Sequence, residues 1–185
     1  MKVVVIGQKW LGVQALEMAL NGGHDVVKVI APESDRLNTN ATSKGLAVSA
    51  PPSQQAPVTA LDVPDCDVII CAHAHVKLAP CTLLKPRHGA IGYHPSLLPL
   101  YRGKNAIADA LKEHQKIIGG SVYLLDDGWD TGPVLLQDWS FVQDGDDAAS
   151  IWRRVLAPMG LELLERAVFH LEAFGHWPEA QMQRT

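Results

Sequence analysis

Val3-Val4-Val5-Ile6, closed by Gly7, is the run that most restricts this chain. Four apolar residues without a polar break mark a strand covered on both faces, because an exposed face would need an alternate polar position. Leu11, Ala15, Met18 and Ala19 then recur at helical spacing, and Asn21-Gly22-Gly23 ends the helix. Val26–Ile30 reads as a second strand. A strand, a helix and a strand joined by short turns fold as a parallel pair with a right-handed crossover. The opening implies a parallel sheet, and the alternation of strands and helices along the rest of the chain makes the expected fold α/β with three layers, a mostly parallel sheet with helices on both faces.

The rest of the sequence continues the alternation. Residues 31–60 are rich in Pro, Ser, Thr, Asn and Gln and read as a loop-rich excursion, with a short helix near Ser43 and a short strand at 46–49. Asp67–Cys71 and His88–Tyr93 read as strands, Asn105–His114 as a helix, and Gly120–Leu125 and Val134–Phe141 as a pair bracketing a turn. From Asp146 an amphipathic helix is expected to about Phe174, with Ile151, Val155, Leu163, Leu164 and Val168 on its apolar face and Pro158 kinking or splitting it. The last ten residues read as a loose tail. The 185 residues, 47% of them hydrophobic, suit one domain over 1–185.

Charge and cysteines narrow the class further. A formal charge of −4 gives no electrostatic reason to expect nucleic acid, which proteins bind largely by neutralising phosphates. No apolar run is long enough to span a bilayer, and MKVVVIG is too short for a signal-peptide core. Cys66, Cys71 and Cys81 are odd in number and irregularly spaced, which suits free thiols in a cytoplasmic protein; the Asn40-Ala41-Thr42 sequon then carries no meaning.

In a parallel sheet, ligands gather at the carboxyl ends of the strands. Gly7-Gln8-Lys9-Trp10-Leu11-Gly12 is neither a dinucleotide fingerprint nor a P-loop and reads as a strand-to-helix turn, with Lys9 able to reach an anionic substrate. Cys71, His73 and His75 share one face of a strand, which a metal could use, but four-ligand structural sites draw on further partners, so no metal is expected. His94 stands where a buried strand runs out; Pro95 holds it extended, and its two ring nitrogens suit proton transfer. Arg102-Gly103 places a cation beside a flexible residue, where an anionic group could dock. Asp126, Asp127 and Asp130 crowd three carboxylates and two glycines into one turn; such carboxylates can orient a histidine, or can be the surface residues of a Gly-rich hairpin. Trp129 could stack on an aromatic ligand, whereas Trp10 and Trp152 read as packing. His88 and His114 read as surface or capping residues, and Cys71 as a buried thiol.

His94-Pro95-Ser96-Leu97-Leu98-Pro99 with Arg102-Gly103, followed by Asp127-Gly128-Trp129-Asp130-Thr131-Gly132, resembles the two signature loops of the formyltransferases that use 10-formyltetrahydrofolate. Order and separation agree, with the aspartate 36 positions after the histidine. The resemblance covers roughly residues 1–142 and implies a Rossmann-like formyltransferase domain. It implies transfer of a formyl group from the folate nitrogen to an amine, with His94 donating to the oxyanion or shuttling the amine's proton and Asp130 orienting the imidazole. It also implies that folate lies against Cys71, Ala72, His73, Ala74, His75 and Val76, against Ser96 and Leu97, and against Asp126, Asp127, Gly128 and Trp129, while Lys9 and Arg102 face the acceptor.

One position departs from the family. Its asparagine, two residues before the histidine, is Gly92 here. Loss of one oxyanion donor costs on the order of 3 kcal/mol, a hundredfold or more in rate. A water could take its place, His73 or His75 could supply the donor, or folate could bind without useful transfer. After Phe141 only one long helix and a tail are expected, nothing that reads as a tRNA-binding domain, so a small amine acceptor is expected rather than tRNA, and a homodimer is allowed. Hydrolysis of formyl-folate, folate binding without turnover, and an α/β protein with no folate role are the alternatives.

Overall fold

The computed structural model describes residues 1–52 and 56–183. The elements follow as β1 (Lys2–Gly7), α1 (Lys9–Asn21), β2 (Asp25–Ile30), α2 (Arg36–Ser43), β3 (Val48–Ser49), β4 (Val68–Ala72), α3 (Pro80–Leu83), β5 (Ala90–His94), α4 (Ala106–Lys112), β6 (Ile117–Leu124), β7 (Val134–Phe141), α5 (Ala148–Ile151), a π-helical turn (Trp152–Leu156) and α6 (Ala157–Phe174). The strand order is β3-β2-β1-β4-β5-β6-β7, a mostly parallel sheet of an α/β fold as the sequence predicts. The chain divides into two compact units, Met1–Gly92 and Tyr93–Thr185.

In the first unit β1 is paired on both sides with parallel strands, β2 and β4, and β4 pairs with β5 in register Cys71↔Gly92. Val3, Val4, Val5, Ile69 and Ile70 are fully buried, which is why these runs carry no polar residue. Chain order reverses between β2 and β4 on either side of β1, which makes the carboxyl end of β1 a topological switch point. Gly7 is required there by space: a Cβ would stand 2.0 Å from the Ala72 carbonyl oxygen. Ala72 O also accepts the Gln8 N–H at 3.3 Å, so the ends of β1 and β4 are pinned together.

In the second unit β6 and β7 form an antiparallel pair with a bulge between Val122 and Tyr123. Ala110, Ile118, Ile151 and Leu156 form one buried cluster, joined by Tyr101, Ile107, Trp152 and Met159. Tyr93 lies between glycines: a Cβ at Gly120 would meet its hydroxyl at 2.2 Å, and one at Gly160 would meet its ring at 2.6 Å. Its hydroxyl donates to Leu156 O at 2.7 Å, and burial drives its ionisation far above the usual tyrosine range.

Three expectations change. The helix expected from Asp146 to Phe174 begins at Ala148, with Asp147 as its cap in a reciprocal pairing with Ser150, and is interrupted by the π-helical turn. That turn precedes Pro158 in the first turn of α6, so at the proline the helix is split, one of the two outcomes expected of it. His94 belongs to β5 itself instead of following it. As far as Gln183 the tail is not loose, for Gln181 N–H donates to Val134 O at 2.8 Å and Val134 N–H to Gln181 O at 2.9 Å; its last two residues lie outside those described.

Candidate active site

His94 ends β5 and is buried, with only 8% of its side chain exposed. Its Nε2 lies 2.8 Å from the backbone oxygen of Tyr101. A carbonyl oxygen has no proton to give, so Nε2 carries the hydrogen and donates it. That fixes the tautomer and leaves Nδ1 as the basic nitrogen. Nδ1 faces Asp130 Oδ2 at 3.4 Å. A proton arriving on Nδ1 would therefore sit beside a carboxylate whose side chain is only 12% exposed.

Asp130 is held from several directions. Oδ1 accepts the Tyr123 hydroxyl at 2.7 Å, and Oδ2 accepts the Gly103 N–H at 2.8 Å. Its backbone has φ +55°, a left-handed conformation that a non-glycine residue keeps only where its surroundings fix it. The loop around it is built tightly. Asp126 Oδ1 accepts from Gly128 N–H at 3.0 Å and from the Thr131 hydroxyl at 2.7 Å. A Cβ at Gly128 would strike Thr131 Oγ1, and one at Gly132 would strike Leu124 O, each at 1.8 Å. The loop's glycines are thus demanded by space, and Asp126 is a structural member of it. Asp127 and Trp129 stand exposed on its outside.

The segment after His94 is fixed as firmly. Ser96 is buried, and its hydroxyl donates to Leu100 O at 2.5 Å. Ser121 Oγ donates to Ser96 O at 2.6 Å and accepts Leu98 N–H at 3.0 Å, and Gln137 Nε2 donates to Leu98 O at 3.0 Å. Leu97 packs over Gly119, where a Cβ would approach it to 2.6 Å. Arg102 directs Nε and Nη2 to Gln183 Oε1 at 3.0 and 2.6 Å.

The first unit carries the remaining sequence-predicted residues. Cys71 and Ala72 end β4, fully inside, and burial pushes the Cys71 thiol up to about 12. His73 adopts φ +55° and stacks on His75 with ring centres 5.0 Å apart. Burial, then the neighbouring His75 and Lys9, lower the His73 pKa to about 4, with Asp35 opposing. Gly7, Gln8, Ile30, Pro32, Pro51, Ala74, His75 and Val76 line a cleft of ≈ 80 Å³ at the switch point. Lys9 opens α1, also at positive φ, and its backbone N–H donates to both oxygens of Asp35 at 2.9 and 3.0 Å. The same carboxylate caps α2, accepting Leu37 N–H at 2.8 Å. Gly92 is buried in β5 and offers no side chain.

Among the described residues no group of three or more His, Cys, Asp or Glu is arranged to hold a metal ion, and no helix is long and apolar enough to cross a membrane. The sequence reading named His94 and Asp130, which the structure brings together. It missed Tyr101, Tyr123, Gln183 and Asp35, which act through one backbone carbonyl, one phenol and two ordinary polar side chains, and it singled out Gly103 beside Arg102 without the role of its backbone amide. Only Tyr123 left a trace, as a polar-tipped aromatic in a strand next to a carboxylate-rich turn.

The formyl transferase family model matches residues 1–168. Cytosolic 10-formyltetrahydrofolate dehydrogenase of Xenopus laevis is 34% identical over 190 residues, covering 96% of this chain and 21% of that protein. Methionyl-tRNA formyltransferase of Acidobacterium capsulatum is 31% identical over 201 residues, covering 98% of this chain and 62% of that protein. The chain thus spans about a fifth of the first relative's length and under two thirds of the second's. Among solved structures, glycinamide ribonucleotide transformylase 1 of Symbiobacterium toebii aligns with TM-score 0.78 at 22% identity, over 100% of this chain and 94% of that one. An N-formyltransferase of Helicobacter canadensis, in complex with folinic acid and dTDP-3-aminofucose, aligns with TM-score 0.79 at 17% identity, over 100% of this chain and 68% of that one. At such identities the structural likeness speaks for the fold, while the family match extends through both signature loops. The chain belongs to the formyl transferase family.

Proposed function

We propose that this chain moves a formyl group from 10-formyltetrahydrofolate to an amine of a small molecule. The observation that carries the proposal is the fixed tautomer of His94: Nε2 donates to Tyr101 O, and Nδ1 is left basic beside Asp130. In the proposed step the amine nitrogen attacks the formyl carbon, and a C–N bond forms as charge moves to the formyl oxygen. His94 Nδ1 takes the proton that the nitrogen sheds, and Asp130 stabilises the resulting imidazolium. The bond from the formyl carbon to the folate nitrogen then breaks, and that nitrogen receives the proton. The separate donor to the oxyanion that Asn would supply is missing at Gly92, so the chain relies on proton transfer more than its family does.

In the second unit, Ser96, Leu97 and the loop Asp126, Asp127, Gly128 and Trp129 are the residues proposed to meet folate; in the first, Cys71, Ala72, His73, Ala74, His75 and Val76 are. Lys9 and Arg102 are proposed for the acceptor. The formal charge of −4 supports a small acceptor over tRNA. A second reading, hydrolysis to formate, rests on the same His94 nitrogen, since a base that deprotonates an amine also deprotonates water. A third, folate binding without turnover, rests on Gly92.

The experiment is absorbance-monitored loss of formyl from 10-formyltetrahydrofolate, first without an amine and then with a panel of amino sugars, amino acids and ornithine-like amines. Loss that needs one amine supports transfer and names the acceptor; loss without any amine shows a hydrolase; binding by calorimetry with no loss shows a folate-binding protein. His94→Ala abolishes turnover in either enzymatic case, and full activity in that variant refutes the assignment.

A further inference from the structure

The chain beyond α6 returns to the candidate site and ends a hydrogen-bond network there. After Gln181 pairs with Val134, the side-chain amide of Gln183 reaches two separate segments. Its Oε1 accepts from Arg102 Nε at 3.0 Å and Nη2 at 2.6 Å, and its Nε2 donates to Asp130 O at 3.0 Å and Gly132 O at 2.8 Å. A primary amide has two N–H donors and two carbonyl lone pairs, so every hydrogen-bonding position is used.

The two segments it joins both help to place the Asp130 carboxylate, which Tyr123 holds from the other oxygen. Arg102 precedes Gly103, whose N–H donates to Oδ2 at 2.8 Å. Asp130 itself holds a left-handed backbone, φ +55°, in which its side-chain direction depends on what fixes the peptide on either side. Gln183 takes the carbonyl of that very residue and the one two positions on. The Gly103 contact to the carboxylate joins the same two segments.

We infer that Gln183 is a positioning residue: it clamps the Arg102–Gly103 segment to the Asp130–Gly132 loop and so keeps the carboxylate beside His94. The inference rests on the reading of His94 and Asp130 as the proton-transfer pair. It assigns the segment after α6 a part in the reaction without contact with any reactant.

The test compares wild type with Gln183→Leu, which removes all four bonds, and Gln183→Glu, which keeps an acceptor for Arg102 but turns a carboxylate toward two carbonyl oxygens. Formyl loss gives kcat and KM for 10-formyltetrahydrofolate, and amide hydrogen exchange at Gly103 reports whether its bond to Asp130 persists. Both variants are expected to lose about tenfold or more in kcat with KM within about threefold, because a small misplacement near reacting atoms is felt in the rate. The Gly103 amide is expected to exchange about tenfold faster, with the rest of the unit protected as before. Wild-type kcat and wild-type Gly103 exchange in both variants overturn the inference; so does a fall in kcat with Gly103 still protected. Should Gln183→Leu not fold, Gln183→Glu carries the test alone. Should wild type itself turn over no formyl with any amine or with water, the functional reading fails, and the clamp stands or falls on Gly103 exchange.

Discussion

Replacing Asp130 by Asn tests whether charge beside His94 matters as much as its geometry implies. Nδ1 and Oδ2 are 3.4 Å apart. Two unit charges at that distance attract by about 5 kcal/mol at an effective dielectric near 20 and by about 1 kcal/mol in bulk water. With side chains 8% and 12% exposed, the pair belongs nearer the first value. If half to most of that attraction supports the imidazolium of the transition state, Asp130→Asn slows formyl loss by roughly a hundredfold to a thousandfold. The amide keeps an oxygen for the Tyr123 hydroxyl but turns an N–H toward the Gly103 N–H, where the carboxylate accepted. Loss of that charge-assisted bond costs about 1.5–3 kcal/mol of stability, and each kcal/mol lowers the melting temperature by roughly 2–4 °C in a chain of this size. The assay is single-turnover formyl loss well below the variant's melting temperature, checked by circular dichroism. Because the pair is largely out of water, the deficit should persist at about 0.5 M salt, where exposed pairs are screened. A folded Asp130→Asn variant with a rate within about threefold of wild type refutes the reasoning.

Three further outcomes follow from other residues. Gly92→Asn places an amide two residues before His94, on the same face of β5, and is expected to raise the transfer rate by up to about a hundredfold; single-turnover kinetics showing no gain in a folded variant would mean that the oxyanion is met elsewhere. Tyr93→Phe strips the hydroxyl from Leu156 O and is expected to lower stability in urea by about 1–3 kcal/mol without changing kcat; a stability equal to wild type would contradict the buried bond. For His73, the folded pKa of about 4 lies below the ordinary value of 6.5. Between those values the unfolded chain binds the extra proton, so stability is lost as pH falls through that window. Urea titrations of wild type and His73→Gln from pH 7 to pH 4 should therefore show wild type losing more, and parallel curves would rule out the buried neutral histidine.

The architecture was legible because its determinants are local. Val3–Ile6 and the Leu11-to-Ala19 spacing need no tertiary knowledge to be read as a strand and a helix, and two such strands leave only a parallel pairing. His94 and Asp130 were legible because both stand in short, distinctive loops. What fixes them was not. Tyr101 takes part through its carbonyl oxygen and Gly103 through its amide, groups every residue possesses, so no residue type marks them. Gln183 was hidden for a different reason: a polar residue in a Pro- and Gln-bearing tail reads as solvated until the chain is seen to return to β7. The π-helical turn is a compromise between one amphipathic face and one proline, and a periodicity cannot show how such a conflict is settled. The reason for Gly7 appears only when β4 lies alongside, since its space is taken by the carbonyl of Ala72.

The carboxylate of Asp35 has a consequence for selectivity. It occupies the first amide of α1 and the first turn of α2 together, so two helices begin on one anion. A phosphate or carboxylate seeking the start of α1 finds a resident competitor, tethered in the chain and therefore always present. To dislodge it would uncap α2, at a cost of about 1 kcal/mol, and would bring two negative charges together. A neutral or cationic guest suffers neither penalty. The fold has thus already filled the place at the start of α1 where an anion would rest, so an anionic acceptor that reached Lys9 would meet its side chain and not this backbone amide.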